Sequence, residues 1–99
     1  MSTAPDDSLM ARVAIGDDEA LLALYDRHGA RVYGLALRML HDAMSAEEIT
    51  QDVFMRCWRN IDRYQPSQGS LASWLLSIAH NRAIDELRSR RGKDARREL

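Results

Sequence analysis

Two neighbouring stretches of this chain carry residues with the chemistry to hold a nucleic acid. One is GSLASWLLSIAHNRAIDELRSRRG, Gly69 to Gly92, where apolar residues give way to a run of arginines. On a helical wheel Ala72, Leu75, Leu76, Ala79, Ala83 and Leu87 gather on one face, and Trp74, Ser77, Ile78, Asn81, Asp85 and Arg88 on the other. The other stretch is the polar loop before it, Arg63-Tyr64-Gln65-Pro66-Ser67-Gln68-Gly69. Arginines neutralise phosphates without regard to sequence. Aromatic rings such as Tyr64 and Trp74 stack on unstacked bases, worth ~1–3 kcal/mol per base. Gln65, Ser67 and Asn81 offer donors and acceptors that can read base edges. By spacing alone, the commoner role for Trp74 is a core residue pinning its helix to neighbours. Asn81 fits that role poorly, because a mid-helix asparagine is a weak helix former and adds little to a core.

Other chemistry is weakly represented. His28, His41 and His80 share no metal-ligand spacing, and Cys57 has no CxxC partner. Glu47 and Glu48, close to Asp52, read as acids of a first helical turn, and Asp85-Glu86 beside Arg82 and Arg88 as helix-face ion pairs. The sequence holds no Gly-rich phosphate loop, no GxSxG and no HExxH. The expectation is a binding protein, not an enzyme, with no metal site and no cofactor.

The elements that must position these residues are helices, since no stretch alternates with a period of two. A short first helix follows Asp6-Asp7-Ser8 and ends at Gly16. Asp17 caps a second helix over about 18–40, in which Gly29 and Gly34 either bring backbones close or break the helix near Gly29. Ser45-Ala46-Glu47-Glu48 matches a capping box that would open a third helix running to about Asp62. There Ile49, Val53, Phe54, Cys57, Trp58 and Ile61 form a wide apolar arc, with Trp58 and Met55 at its edge, where a partner could reach them. Cys57, mid-arc, reads as a small buried hydrophobe. Ser70 caps the fourth helix, whose basic end, from Arg88 on, is expected to fray. The fold class expected is all-α, a compact bundle of about four helices.

Ninety-nine residues suit one domain with a single small core. Charge divides sharply along the chain. Met1–Met55 holds four basic and ten acidic residues, and Arg56–Leu99 holds ten basic and five acidic. That asymmetry suits an acidic partner, such as nucleic acid, on one side and a basic one on the other, although solvated helix faces would produce it too. The single cysteine, the lack of a signal-peptide pattern and the lack of any apolar run near ~18 residues point to a cytoplasmic protein without membrane insertion.

Several linked signatures now bear on identity: AEEITQDVF, the WRNIDRY stretch, the SWLLSIAHNRAID helix and the spacing between them. Together they resemble region 2 of bacterial sigma factors of the extracytoplasmic-function group. Upstream, LLALYDRHGARVYGLALRMLHD is similar to the first part of the same region, and MARVAIGDDEAL to its opening helix and Gly-Asp turn. The resemblance covers about residues 8–92. It implies a domain over 1–92, with 93–99 resembling the start of a basic linker. Complete factors carry a second helical domain, region 4, that reads the −35 element. Nothing in this chain corresponds to it, so a fragment incapable of autonomous initiation is expected.

The resemblance implies two tasks in transcription initiation. Gln51, Asp52, Met55 and Trp58 would dock on the coiled coil of the β′ subunit of core RNA polymerase, Asp52 pairing with a basic residue there. Arg63, Tyr64, Gln65, Ser67, Gln68 and Ser70 in the loop, with Trp74, His80, Asn81 and Arg88 on the helix, would recognise and melt the promoter −10 element. They would do so by holding flipped bases of the single-stranded non-template strand. An anti-sigma factor is a further implied partner. The alternative is a protein-interaction module of the same fold, an anti-sigma target that does not read DNA. Convergence of Arg63, Tyr64, Trp74 and Asn81 on one exposed pocket would favour DNA reading; full burial of Tyr64 and Trp74 would count against it.

Overall fold

The structure, a computed structural model, describes residues 3–98. Four helices follow in order: α1 (Asp6–Ala14), α2 (Asp18–Leu40), α3 (Ala43–Arg59) and α4 (Leu71–Glu98). Two short 3-10 turns, Ile61–Arg63 and Pro66–Gln68, connect α3 to α4. The described residues form an all-α bundle of the kind the helical periodicity predicts.

Local chemistry sets each boundary. Gly16 adopts φ +94°, a left-handed value that ends α1 and turns the chain into Asp17. Asp17 Oδ1 accepts the Glu19 and Ala20 N–H groups at 3.1 and 3.3 Å, capping α2. Arg12 Nε donates to Asp17 Oδ2 at 2.8 Å, and this bond leads the causes that hold the Asp17 carboxyl below its usual range. The 23-residue α2 passes through Gly29 and Gly34 without a break. Burial of Ala20, Leu24, His28, Val32, Ala36 and Leu40 along one stripe outweighs a cost of ~1 kcal/mol per glycine.

The capping box expected at Ser45 is not where α3 begins. His41, at φ 54°, donates its N–H to Leu37 O at 2.8 Å, and the next residue, Asp42, is the cap. Asp42 Oδ1 accepts from Met44 N at 3.3 Å, and Ser45 Oγ donates to Asp42 Oδ2 at 2.6 Å. The tight reversal leaves an acceptor at Asp42 three residues early, and Ser45 becomes its first-turn partner. At the other end α3 stops at Arg59 rather than Asp62, because the Asn60 backbone and Nδ2 both donate to Arg56 O, at 2.9 and 3.0 Å.

Helix α4 corrects a further expectation. The basic segment from Arg88 is helical, continuing through Gly92 to Glu98 across the boundary expected at 92. Arg90 accounts for part of this. It donates to Leu40 O at 3.3 Å and to Ser45 Oγ at 2.7 Å, and pairs with Glu86 at 3.3 Å and Asp42 at 3.6 Å. A helix of 28 residues spans ~42 Å and gives the molecule its length, 53 Å against 25 and 22 Å in the other directions.

Leu9, Leu24, Val32, Val53, Cys57, Leu71 and Leu75 are the largest fully buried side chains, drawn from all four helices. Burial pushes the Cys57 thiol up to about 11, which leaves it a packing group at neutral pH. Among the described residues, no buried side-chain nitrogen or oxygen lacks a hydrogen-bond partner.

Candidate nucleic-acid interface

Gly69, at φ +143°, takes a backbone conformation that suits glycine and leads into Ser70, which caps α4. Ser70 Oγ accepts the Ser73 N–H at 3.1 Å and donates to Ser73 Oγ at 3.0 Å. The loop thereby folds over the first turns of α4 and encloses a cavity of about 220 Å3. Arg63, Tyr64, Gln65, Gln68, Ser70 and Trp74 line it, joined by Gly69, Ser73 and Ser77. Tyr64 and Trp74 form one wall, ring centroids 5.5 Å apart and planes inclined by 38°. Both rings are half-buried against the core, so Trp74 serves as packing residue and cavity wall together. Arg63 is exposed and has no carboxylate partner among the described residues.

Tyr64 has a partner outside the loop. Its hydroxyl donates to Asp7 Oδ1 at 3.3 Å, which ties the loop to α1. Burial, then the Asp7 charge, push the phenol pKa above its usual value, so the hydroxyl remains a neutral donor.

Asn81 stands two turns along α4 from Trp74. It lines an adjoining cavity of about 250 Å3 with Arg63, Trp74, Arg56, Asn60 and Ile78. Arg63 and Trp74 belong to both cavities, so the four residues whose convergence was in question share one continuous surface. His80 is exposed beside Asn81 and faces a third hollow toward α2. Ser67 and Arg88, also expected at the site, line none of these three spaces. Residues that sequence reasoning missed are Arg56, Asn60 and Ser73, with Ser77 and Ile78 placed on the outer face but given no role. The serines lie one turn apart beside Trp74, a spacing legible in hindsight. Arg56 and Asn60 reach the site only through the packing of α3 on α4.

A second surface lies on α3. Gln51, Met55 and Trp58 fall within one stripe of its exposed side, Met55 at 40% and Trp58 at 46% exposure. Met44, 72% exposed, extends the stripe. Asp52 behaves differently: its Oδ2 accepts from Arg82 Nε of α4 at 2.7 Å and from Arg56 Nε at 3.1 Å. The acid expected to meet a partner's cation already has two within the chain. Among the described residues no three His, Cys, Asp or Glu gather as a metal site, and no helix is long and apolar enough to cross a membrane.

The helical bundle thus exposes an aromatic-walled, arginine-flanked hollow on one side and an apolar helix stripe on another. Comparison with known proteins makes this specific. A family model described as Sigma-70 region 2 matches residues 24–93, and the chain belongs to that family. It is 50% identical over 94 residues to the ECF RNA polymerase sigma factor SigK of Mycolicibacterium vanbaalenii, covering 95% of this chain and 48% of that protein. Proteins of the same name from Mycobacterium sp. strain KMS and Mycobacterium tuberculosis are 47% and 43% identical over 83 and 82 residues. These matches cover 84% and 83% of this chain and 43% and 44% of those proteins. The resemblance to an extracytoplasmic-function region 2 domain thus holds, and the chain spans about half the length of the curated relatives it matches.

Proposed function

We propose that this domain acts in transcription initiation as a non-catalytic adaptor in the cytoplasm, binding core RNA polymerase and the −10 element of a promoter. The exposed stripe of Gln51, Met55 and Trp58 docks on the β′ coiled coil, with Asp52 supporting it from within the fold. The cavity between the 63–70 loop and α4 takes a flipped base of the non-template strand. Flipping costs a few kcal/mol, of which one stacked base returns ~1–3 kcal/mol. Hydrogen bonds from Gln65, Gln68 and Asn81 and the contacts of the polymerase supply the rest. An anti-sigma factor would cover one or both faces.

The Tyr64–Trp74 pair carries this reading, because both rings stop short of full burial and line a hollow beside an unpaired arginine. The test is non-template oligonucleotide selection by the domain bound to core polymerase, followed by titration of variants. Trp74→Ala is expected to weaken the selected oligonucleotide by roughly tenfold or more. Asn81→Ala should narrow the gap between selected and shuffled sequences while leaving the thermal melt unchanged. Discrimination preserved in both variants would move the assignment to an interaction module.

A further inference from the structure

The reading cleft does not end at Asn81. Successive stripes of α4 face different neighbours: Trp74, Ile78 and Asn81 look toward α3 and the loop, and Ser73, Ser77 and His80 toward α2. On the α2 side lies a hollow of about 510 Å3, the largest of the three, between the two helices. Its rim on α2 is Arg31 and Arg38, seven residues and ~10.5 Å apart on one helix face, with Leu35 between them. Its rim on α4 is His80 and Asn81, and Leu35 and Leu76 supply the apolar lining.

Three features make this more than a solvated gap. Arg31 and Arg38 are exposed, and neither forms an ion pair or side-chain hydrogen bond among the described residues. By contrast Arg12, Arg27, Arg56, Arg82 and Arg90 all have carboxylate partners. No acidic residue lines the hollow. It is also continuous with the reading cleft, sharing Ser73 and Ser77 with the first cavity and Asn81 with the second.

We propose that the α2–α4 groove is a phosphodiester-binding track, in which Arg31 and Arg38 hold the backbone of the single strand whose base occupies the Tyr64–Trp74 cleft. The inference rests on the DNA-reading assignment for its direction and adds a site on a different helix. Unpaired guanidiniums two turns apart suit two phosphates of one strand, the serine hydroxyls and the His80 ring offer further hydrogen bonds, and Leu35 with Leu76 suits a sugar or base face. An acidic protein segment would find the same charges, but continuity with the cleft favours nucleic acid.

The test uses the 99-residue chain, fluorescence anisotropy and two labelled single strands: an oligothymidylate and an oligonucleotide selected on the polymerase complex. Arg31→Ala/Arg38→Ala is expected to weaken both strands by a similar factor, roughly tenfold at low salt. It should also make the slope of log K against log salt shallower by about 1.4, two contacts at ~0.7 each. Arg31→Lys/Arg38→Lys, retaining the charge, should restore most of the slope. An unchanged slope in the alanine variant, or a wild type that binds neither strand at low salt, overturns the track. Loss of the slope with no discrimination between strands in the wild type would uphold the track and refute base reading. A slope unchanged by the arginine replacements, beside discrimination that depends on Trp74, would do the reverse.

Discussion

The carboxylate of Asp6 ties α1 to α2 through two short contacts. It accepts from Arg27 Nη1 at 2.8 Å and meets the Nε2 of His28, a buried histidine, at 3.0 Å. Partial burial opposes its charge, yet the hydrogen bonds from His28 and Arg27 outweigh burial and hold its carboxyl below the ordinary 3.8. A carboxyl depressed on folding adds stability above the unfolded value and loses it as pH falls through the folded one. Asp6→Asn should therefore destabilise the chain by about 1–2 kcal/mol at pH 7, with a smaller gap from wild type at pH 3. Urea unfolding at the two pH values checks this; an equal gap at both would refute it. The neighbouring Asp7 holds the Tyr64 hydroxyl, so the adjacent acids of α1 tie it to α2 and to the 63–70 loop respectively.

At the scale of elements, few polar ties add direction to apolar packing. Asp52 with Arg82 joins α3 to α4, and Arg90 joins α4 to the α2–α3 turn. Both Asp52 and Arg82 are partly exposed, so screening limits their value. A double-mutant cycle with Asp52→Ala and Arg82→Ala should give a coupling of about 0.5–1 kcal/mol that shrinks with salt. Coupling indistinguishable from zero in low salt would remove the pair from the account of how α3 and α4 are aligned. Helix identity and approximate extent were legible from the spacing of apolar residues. The start of α3 was not, because the Ser45 capping box pointed three residues too far along and the His41 reversal set the cap at Asp42. The helical continuation beyond Arg88 was also hidden, since two of Arg90's acceptors lie 50 and 45 positions away in sequence.

For the whole molecule, the two faces proposed for binding lie on different helices, and a probe of one should spare the other. Asp52→Arg is a poor probe of docking, because it would place a third cation between Arg56 and Arg82 and disturb the bundle. Met55→Arg avoids that difficulty at an exposed position. It should abolish co-elution with core polymerase while preserving the thermal melt and the salt-dependent binding of oligothymidylate. Co-elution at the wild-type level would exclude the α3 stripe as the docking surface.

The sequence alone determined the helical class, the apolar faces and the family signature, because each depends on residue spacing along one helix or on motifs read in order. It also identified most residues of the cleft, which lie close together in the chain between Arg63 and Asn81. Tertiary structure decided which charges were free. Asp52 was spent on Arg82 and Asp6 on His28, while Arg31 and Arg38 were left unpaired beside α4. Whether a charged side chain is satisfied depends on contacts between segments far apart in sequence, and helical periodicity carries no record of them.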